Sequence, residues 1–305
     1  MTTEKIFDEA LKNILSEDEI LKDEPMKHHT TFRVGGRAEY YLRPKKEQVA
    51  EVLRLCLTYQ KEYLIIGNGS NLLVSDKGIS GVVIEIGKQM DEITVDGTTI
   101  YAQAGAMLSK TAHAALEAGL TGMEFAAGIP GCVGGAVVMN AGAYGGEMKD
   151  ILKSVTVLTA DGQEKELTPG ELDMSYRHSS ITEEHYMVLG VTIALEAGSQ
   201  EQIRAKMEEL KEKRVEKQPL EYPSAGSTFK RPEGYFAGKL IMDAGLRGFQ
   251  VGGAAVSEKH CGFVINKEKA TASDIYRLIQ EVQQEVYRQF GVKLETEVKM
   301  VGDFR

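Results

Sequence analysis

Residues 122–146, GMEFAAGIPGCVGGAVVMNAGAYGG, hold eight glycines and one proline, and Glu124 is the only charged side chain among them. Glycine gives up more chain entropy on folding than any other residue, so such a cluster needs a geometric reason. The residue types suggest bare backbone approaching something large and flat or anionic, since N–H groups in such loops form concave phosphate sites. The competing reading is a tight structural loop packed between two sheets. A second glycine loop, Gly67-Asn68-Gly69-Ser70-Asn71, follows the apolar run Tyr63-Leu64-Ile65-Ile66. A strand ending in such a loop gathers N–H donors and small polar groups where a pyrophosphate can sit. No Gly-Lys-Ser/Thr follows, so it is not a Walker loop, and no G-x-G-x-x-G opens a helix, so it is not the dinucleotide fingerprint. Asn-Gly is also the strongest short hairpin signal, so a plain turn is the alternative. Two such loops in one chain favour a cofactor site over two unrelated turns.

The bulk numbers exclude several other chemistries. At 305 residues the chain can bury a substantial core, and two domains are expected. A hydrophobic fraction of 42% with 27% charged residues is ordinary for a globular protein. The net charge of −9 and the lack of a Lys/Arg block argue against a nucleic-acid partner, whose binding is mostly phosphate neutralisation. No apolar run reaches the length of a membrane span, and the opening residues carry acids too early for a secretory signal, so a cytoplasmic protein without membrane insertion is expected. Cys56, Cys132 and Cys261 lie far apart without metal spacing and read as small buried residues of a reducing compartment. Cys132 lies inside the glycine segment, where a reactive role is the alternative. No metal site is expected, because the histidines also lack ligand spacing.

The glycine loops need elements to carry them. Ile6, Phe7, Ala10, Leu11, Ile14 and Leu15 share a helical face near the start of the chain. Residues 38–42 alternate like a strand and stop before Pro44. Val49, Val52, Leu53, Cys56 and Leu57 mark a helix, and 63–66 the next strand, so a β-α-β unit delivers the first loop. Strands are expected at 82–86, 99–103, 154–160 and 186–195, a helix at 107–118, and a turn at Asp161-Gly162. Residues 199–217 are charged and helical and end at Pro219, the expected boundary region. Beyond it, 235–244, 253–256, 262–266, 272–290 and 293–300 mix helix-like and strand-like patterns, with 293–300 read as a strand. Without a regular parallel-sheet rhythm, α+β is favoured over a doubly wound fold.

Several motifs, taken in order, resemble one family. They are His29-Thr-Thr-Phe-Arg33-Val-Gly-Gly36, Gly67-Asn-Gly-Ser-Asn71, Gly128-Ile129-Pro130-Gly131 with Gly134-Gly135, and Asn140-Ala-Gly-Ala-Tyr144-Gly. Further on come Tyr176-Arg177-His-Ser, Ala225-Gly-Ser227-Thr-Phe-Lys-Arg-Pro232, Gly252-Gly-Ala-Ala255 and Leu294-Glu-Thr-Glu297-Val. Over nearly its whole length the chain resembles the flavoenzyme family of UDP-N-acetylenolpyruvoylglucosamine reductase (UDP-N-acetylmuramate dehydrogenase) of bacterial cell-wall synthesis. The resemblance implies an α+β fold: a two-part FAD-binding domain of the vanillyl-alcohol-oxidase (PCMH) type plus a C-terminal α+β substrate-binding domain. The implied division is an N-terminal helix at 1–20, the FAD-binding domain at 21–200 (halves about 21–90 and 91–200) and the substrate-binding domain at 201–305. The chain runs directly from Glu221 to the Ser227 motif. It therefore resembles the shorter type, without the tyrosine-bearing loop that one branch lays over its substrate.

The chemistry that the resemblance implies uses FAD and NADPH and acts on UDP-N-acetylglucosamine enolpyruvate, a small molecule, with no obligate protein partner evident. The flavin carries the redox step, and the protein supplies orientation and charge. By family analogy Gly67, Asn68, Gly69, Ser70 and Asn71 hold the pyrophosphate. Gly128, Ile129, Pro130, Gly131, Gly134, Gly135 and Ala136 run beside the flavin, and Asn140 joins the cofactor set. Ser227 is the implied proton donor, its alternative a turn serine capping its own backbone. Arg177 has the forked donors that match a carboxylate and would stabilise enolate character, its alternative a surface ion pair. Glu297 is the implied third catalytic group. Glu295 is the fallback, since on a strand both would share a face. Lys217, Arg231, His260 and Tyr176 are substrate-side positions. A flavin oxidase of the same fold and a non-enzymatic nucleotide-binding protein are the rival classes. An alcohol oxidase needs a base rather than a proton donor and carboxylate clamp, and a binding protein leaves Arg177 and Glu297 unexplained.

Overall fold

The computed structural model describes residues 3–305. The chain forms two compact units. The first comprises the described residues up to Leu21, Tyr40–Asn68 and Gly81–Arg214. The second comprises Lys22–Glu39, Gly69–Ser80 and Val215–Arg305. The chain therefore passes between units several times, and the first glycine loop contains one crossing, between Asn68 and Gly69.

In the first unit the opening helix, Thr3–Lys12, buries Phe7 and Leu11, while Ile6 stays exposed. Helix Lys46–Thr58 buries Val49, Val52, Leu53 and Cys56, the i, i+3, i+4, i+7 stripe that makes a helix one-sided. A four-stranded sheet has the order Ile20–Pro25, Arg37–Leu42, Ile79–Glu85, Tyr63–Ile66, and each of its first three strands runs from residues of one unit into residues of the other. Tyr63–Ile66 runs parallel to Ile79–Glu85, with Tyr63 opposite Val82 and Ile66 opposite Glu85. A five-stranded antiparallel sheet has the order Glu164–Leu167, Leu152–Leu158, Met187–Ala194, Thr99–Gln103, Ile93–Asp96. Its central strand, Met187–Ala194, is buried at all but two positions, as a strand covered on both faces must be. Helix Leu108–Glu117 contributes Leu108, Ala112, Ala115 and Leu116 to the same core.

The second unit centres on helix Ala272–Phe290. Ala272, Ile275, Leu278, Ile279, Val282 and Val286 form its buried stripe. Thr271 caps the start by accepting the Asp274 N–H at 3.1 Å, and Asp76 accepts the N–H groups of Ala272 at 2.9 Å and Ser273 at 2.8 Å. Four free N–H groups open any helix, and these carboxylate and hydroxyl acceptors satisfy three of them. Gly291 ends the helix at φ +68°. Against it lie the three-stranded sheet Gln250–Val251, Ala254–Val256, Val264–Asn266 and helix Ala237–Asp243.

Two local expectations change. The first glycine loop is not a hairpin turn. The strand before it pairs with Ile79–Glu85, whereas Leu72–Val74 after it pairs in parallel with Lys299–Val301. The span 293–300 is not one strand either. Thr296 bridges Phe229 and Lys299–Val301 joins Leu72–Val74, so the chain bends at 297–298 to serve two partners.

Candidate active site

Strand Tyr63–Ile66 delivers Gly67 and Asn68 in the first unit. The Asn68 side-chain amide donates to the Pro130 carbonyl at 2.7 Å, lacing the first loop to the second. Cys132 Sγ occupies the space where a Cβ on Gly67 would stand, and a Cβ on Gly134 would meet Ala104 Cβ at 2.9 Å. The Gly134 N–H donates to the Ala104 carbonyl at 2.8 Å. These two glycines are therefore required by the protein's own backbone and sulfur, not by a ligand as the residue types suggested. The outer rim is different. Asn68, Gly128, Pro130 and Gly135 are exposed, and a Cβ on Gly135 would meet only Cys132 Sγ, at 3.5 Å. A bare, rigidly backed rim of this kind fits a flat ring, so the residues present suit FAD. Ile129 and Gly131 are half-buried, while Ala136 points into the core. Burial pushes the Cys132 thiol pKa up, opposed by backbone N–H groups that include those of Gly135 and Asn68. It stays a protonated packing residue.

Arg177 sits in the four-residue turn Ser175-Tyr176-Arg177-His178, closed by Ser175 N–H to the His178 carbonyl at 3.1 Å and the reverse bond at 3.2 Å. Its φ is +56°, a region that costs an L residue about 1–2 kcal/mol and usually goes to glycine. The surroundings must hold it there. Its guanidinium donates to the Gly142 carbonyl at 3.3 Å and lies 5.2 Å from the exposed Tyr176 ring. Asn140 is completely buried, and its side chain is spent on Glu147, Ser175 and Lys149. A direct cofactor contact by that side chain, as the motif suggested, is closed off by its burial.

Arg214 escaped the sequence reading, because nothing in its charged helix, Gln200–Lys217, sets it apart from Lys213. A Cβ on Gly128 would lie 3.2 Å from its Cδ and 3.3 Å from its Nη1. Burial pushes its pKa down, opposed by the Tyr144 phenol, and no carboxylate among the described residues pairs with it. A half-buried cation without an acid is costly unless an anion joins it.

In the second unit Thr228 is the fixed point beside Ser227. Its N–H donates to the Gly262 carbonyl at 2.9 Å, and its hydroxyl accepts the Val264 N–H at 2.9 Å. Its carbonyl accepts the Glu297 N–H at 2.9 Å. Ser227 is half-buried next to Gly226, where a Cβ would meet nothing within 4 Å. Glu297 is half-buried at the bend, whereas Glu295 is exposed and 3.4 Å from Lys230 Nζ. The bend thus separates two glutamates that a straight strand would have kept on one face. The Asn71 amide donates to the Glu297 carbonyl at 3.0 Å, tying residues 69–71 of the first loop to the Ser227 and Glu297 segments. The buried Gly69 accepts the Thr31 N–H at 3.3 Å, and Ser70 is half-buried.

The outlying positions differ in character. His260 Nδ1 accepts the Gly262 N–H at 3.1 Å, and its ring meets Phe263 edge-on at 4.9 Å. Burial pushes its pKa below the ordinary histidine value, keeping the ring neutral. It shapes the loop that holds Thr228. Arg231 is exposed with its guanidinium 4.0 Å from the Phe236 ring, and Lys217 is exposed at the end of its helix. Among the described residues no cluster of three His, Cys, Asp or Glu side chains is placed to hold a metal, and no helix is long and apolar enough to cross a membrane.

Comparison with known proteins gives consistent matches. Residues 218–301 match the family described as UDP-N-acetylenolpyruvoylglucosamine reductase, C-terminal domain, and 38–168 match an FAD binding domain. A UDP-N-acetylenolpyruvoylglucosamine reductase of Agathobacter rectalis is 59% identical over 297 residues, covering 93% of this chain and 95% of the relative. One of Lachnoclostridium phytofermentans is 53% identical over 300 residues, covering 97% of each. The crystal structure of the Thermus caldophilus reductase is similar at TM-score 0.80 and 35% identity, over 91% of this chain and 97% of that one. p-Cresol methylhydroxylase shares the fold alone, at TM-score 0.51 and 15% identity over 64% of this chain and 44% of its own.

Proposed function

This chain belongs to the UDP-N-acetylenolpyruvoylglucosamine reductase family, and we propose that Arg177, Ser227 and Glu297 carry its reaction. It is an FAD-dependent oxidoreductase that uses NADPH to reduce UDP-N-acetylglucosamine enolpyruvate to UDP-N-acetylmuramate in peptidoglycan precursor synthesis. Its fold is α+β, with an FAD-binding part of the PCMH type. We assign FAD binding to 21–200 and substrate binding to 201–305, after the N-terminal helix at 1–20. We place the enzyme in the cytoplasm without an obligate protein partner.

Bound FAD supplies hydride transfer, from NADPH to the flavin and from the flavin to the β-carbon of the enolpyruvyl ether. What remains for the protein is to hold the carboxylate, stabilise negative charge as the double bond is lost, and deliver a proton to the α-carbon. Arg177 offers a forked, permanently charged donor for the carboxylate. Ser227 Oγ gives the proton. A serine hydroxyl is a weak acid, so it acts only as charge develops on its acceptor. Glu297, half-buried on the backbone segment bonded to Thr228, is assigned to the enolate side, a role that calls for a carboxyl carrying its proton. The rim of Asn68, Gly128, Pro130 and Gly135 backs the cofactor, with Gly69, Ser70 and Asn71 at the pyrophosphate, and Arg214 offers a cation to an anionic part of it. Lys217, Arg231 and Tyr176 are assigned to the nucleotide end of the substrate, and His260 to supporting Ser227.

The observation that best supports this assignment is the bond between the Thr228 carbonyl and the Glu297 N–H, which joins the backbone segment that carries Ser227 to the one that carries Glu297. The test is anaerobic stopped-flow of the two half-reactions. Ser227→Ala and Glu297→Gln should leave NADPH-driven flavin bleaching near the wild-type rate and slow substrate-driven reoxidation at least about a hundredfold. Glu295→Gln should change neither phase. Unimpaired reoxidation in Ser227→Ala would remove it as proton donor.

A further inference from the structure

Asn140 has no exposed surface, and every hydrogen-bonding group of its side chain is used within the first unit. The amide nitrogen donates to Glu147 Oε2 at 2.8 Å and to the Ser175 carbonyl at 3.0 Å, and the amide oxygen accepts the Lys149 N–H at 3.0 Å. Ser175 opens the turn that carries Arg177 in its left-handed conformation. Two further bonds join the same two stretches of chain. Ser179 Oγ donates to the Val138 carbonyl at 2.9 Å, and Arg177 Nη2 to the Gly142 carbonyl at 3.3 Å. All three anchor points fall within 138–142, the direct continuation of helix Val133–Val138 and of the glycine wall.

We propose that Asn140 is the positioning residue for Arg177. Its amide fixes the Ser175–His178 turn to the cofactor wall, so that the guanidinium keeps a set position relative to that wall. The proposal rests on the reading of Arg177 as the carboxylate-binding group. A turn closed by a single bridge, with a non-glycine residue at positive φ, does not hold that shape unaided. Asparagine suits the post for two reasons. It tolerates the left-handed conformation that Asn140 itself adopts, at φ +39°. Its planar amide also donates twice and accepts once, which neither aspartate nor serine can do. Glu147 fixes the amide's orientation by accepting one of its hydrogens, so the other points at Ser175.

Asn140→Asp tests this, because it keeps the shape and removes both donors. The expected protein binds FAD and is bleached by NADPH at the wild-type rate. Reoxidation by the enolpyruvyl substrate falls roughly ten- to hundredfold, the usual cost of a lost buried hydrogen bond and a displaced clamp. A double-mutant cycle separates positioning from general damage. In an Arg177→Ala background, Asn140→Asp should add less than about a twofold further loss, because the group it positions is gone. Equal losses in both backgrounds, or unchanged reoxidation in Asn140→Asp, would overturn the proposal. Should Asn140→Asp fail to fold, Asn140→Ser, which also gives up the pair of amide donors, must slow the same phase, again only when Arg177 is present. No effect there also overturns it. Wild-type reoxidation in Arg177→Ala itself would instead refute the role of Arg177 beneath the proposal.

Discussion

Gly67→Ala is the sharpest probe of how the cofactor wall is built. The new Cβ would lie closer than 3.0 Å to Cys132 Sγ, a separation real Cβ atoms do not show, and 3.7 Å from Cys132 Cβ. The sulfur would have to retreat by ~1 Å or more to reach ordinary contact distance. It has little room to do so. Cys132 is 3% exposed, and the backbone on its C-terminal side is pinned to Ala106 and Ala104 by the N–H groups of Val133 and Gly134. Overpacking of this kind costs about 1–3 kcal/mol, and a retreat that large puts it near about 3 kcal/mol. At roughly 2–4 °C per kcal/mol, the melting temperature should fall by about 6–12 °C. Cys132→Ala removes the clashing atom and leaves the Cβ atoms in ordinary contact. Alone it should cost about 1 kcal/mol for the lost packing. The double variant should then be about as stable as Cys132→Ala, a coupling of roughly 2–3 kcal/mol. The assay is thermal and urea unfolding of the four proteins, with FAD retention recorded in parallel. A Gly67→Ala protein melting at the wild-type temperature, or a double variant no better than Gly67→Ala, would refute the reasoning.

Two other outcomes follow from charge and burial. Arg214→Gln should weaken FAD binding roughly tenfold or more, as loss of a charge-assisted bond does; titration by flavin fluorescence checks it, and unchanged affinity for both oxidised and reduced FAD would leave the cation without that role. His260, half-buried and neutral, has a folded-state pKa below its unfolded value near about 6.5. The unfolded chain therefore binds the proton first as pH falls, so the stabilisation is complete above that value and is lost as pH drops through it toward the folded pKa. The drop in urea midpoint between pH 7.5 and pH 5.5 should shrink in His260→Gln; an identical drop would mean that His260 is not its source.

Elements set by local pattern were legible in the sequence. The stripe of Val49, Val52, Leu53 and Cys56 gave helix Lys46–Thr58, and the apolar spacing of 272–290 gave the long helix Ala272–Phe290. The strand before the first glycine loop was legible too, as was the ordered set of motifs. What stayed hidden depends on partners far away in sequence. No local signal says that Leu72–Val74 pairs with Lys299–Val301, which is why 293–300 looked like one strand. The sulfur that explains Gly67 and the alanine that explains Gly134 lie on other segments. Asn140 resembled a cofactor ligand because it stands in a glycine-rich motif, but its partner Ser175 is 35 residues on, and only the folded chain brings the two together. Arg214 is one cation in a helix full of them, and only its burial against Gly128 marks it.

The most direct test of the central claim is the visible spectrum of the purified protein, taken without oxygen through two additions. A flavin spectrum that bleaches with NADPH and returns with UDP-N-acetylglucosamine enolpyruvate, yielding UDP-N-acetylmuramate, is the predicted result. Bleaching that the enolpyruvyl sugar does not reverse, or no flavin even after reconstitution with FAD, would contradict it.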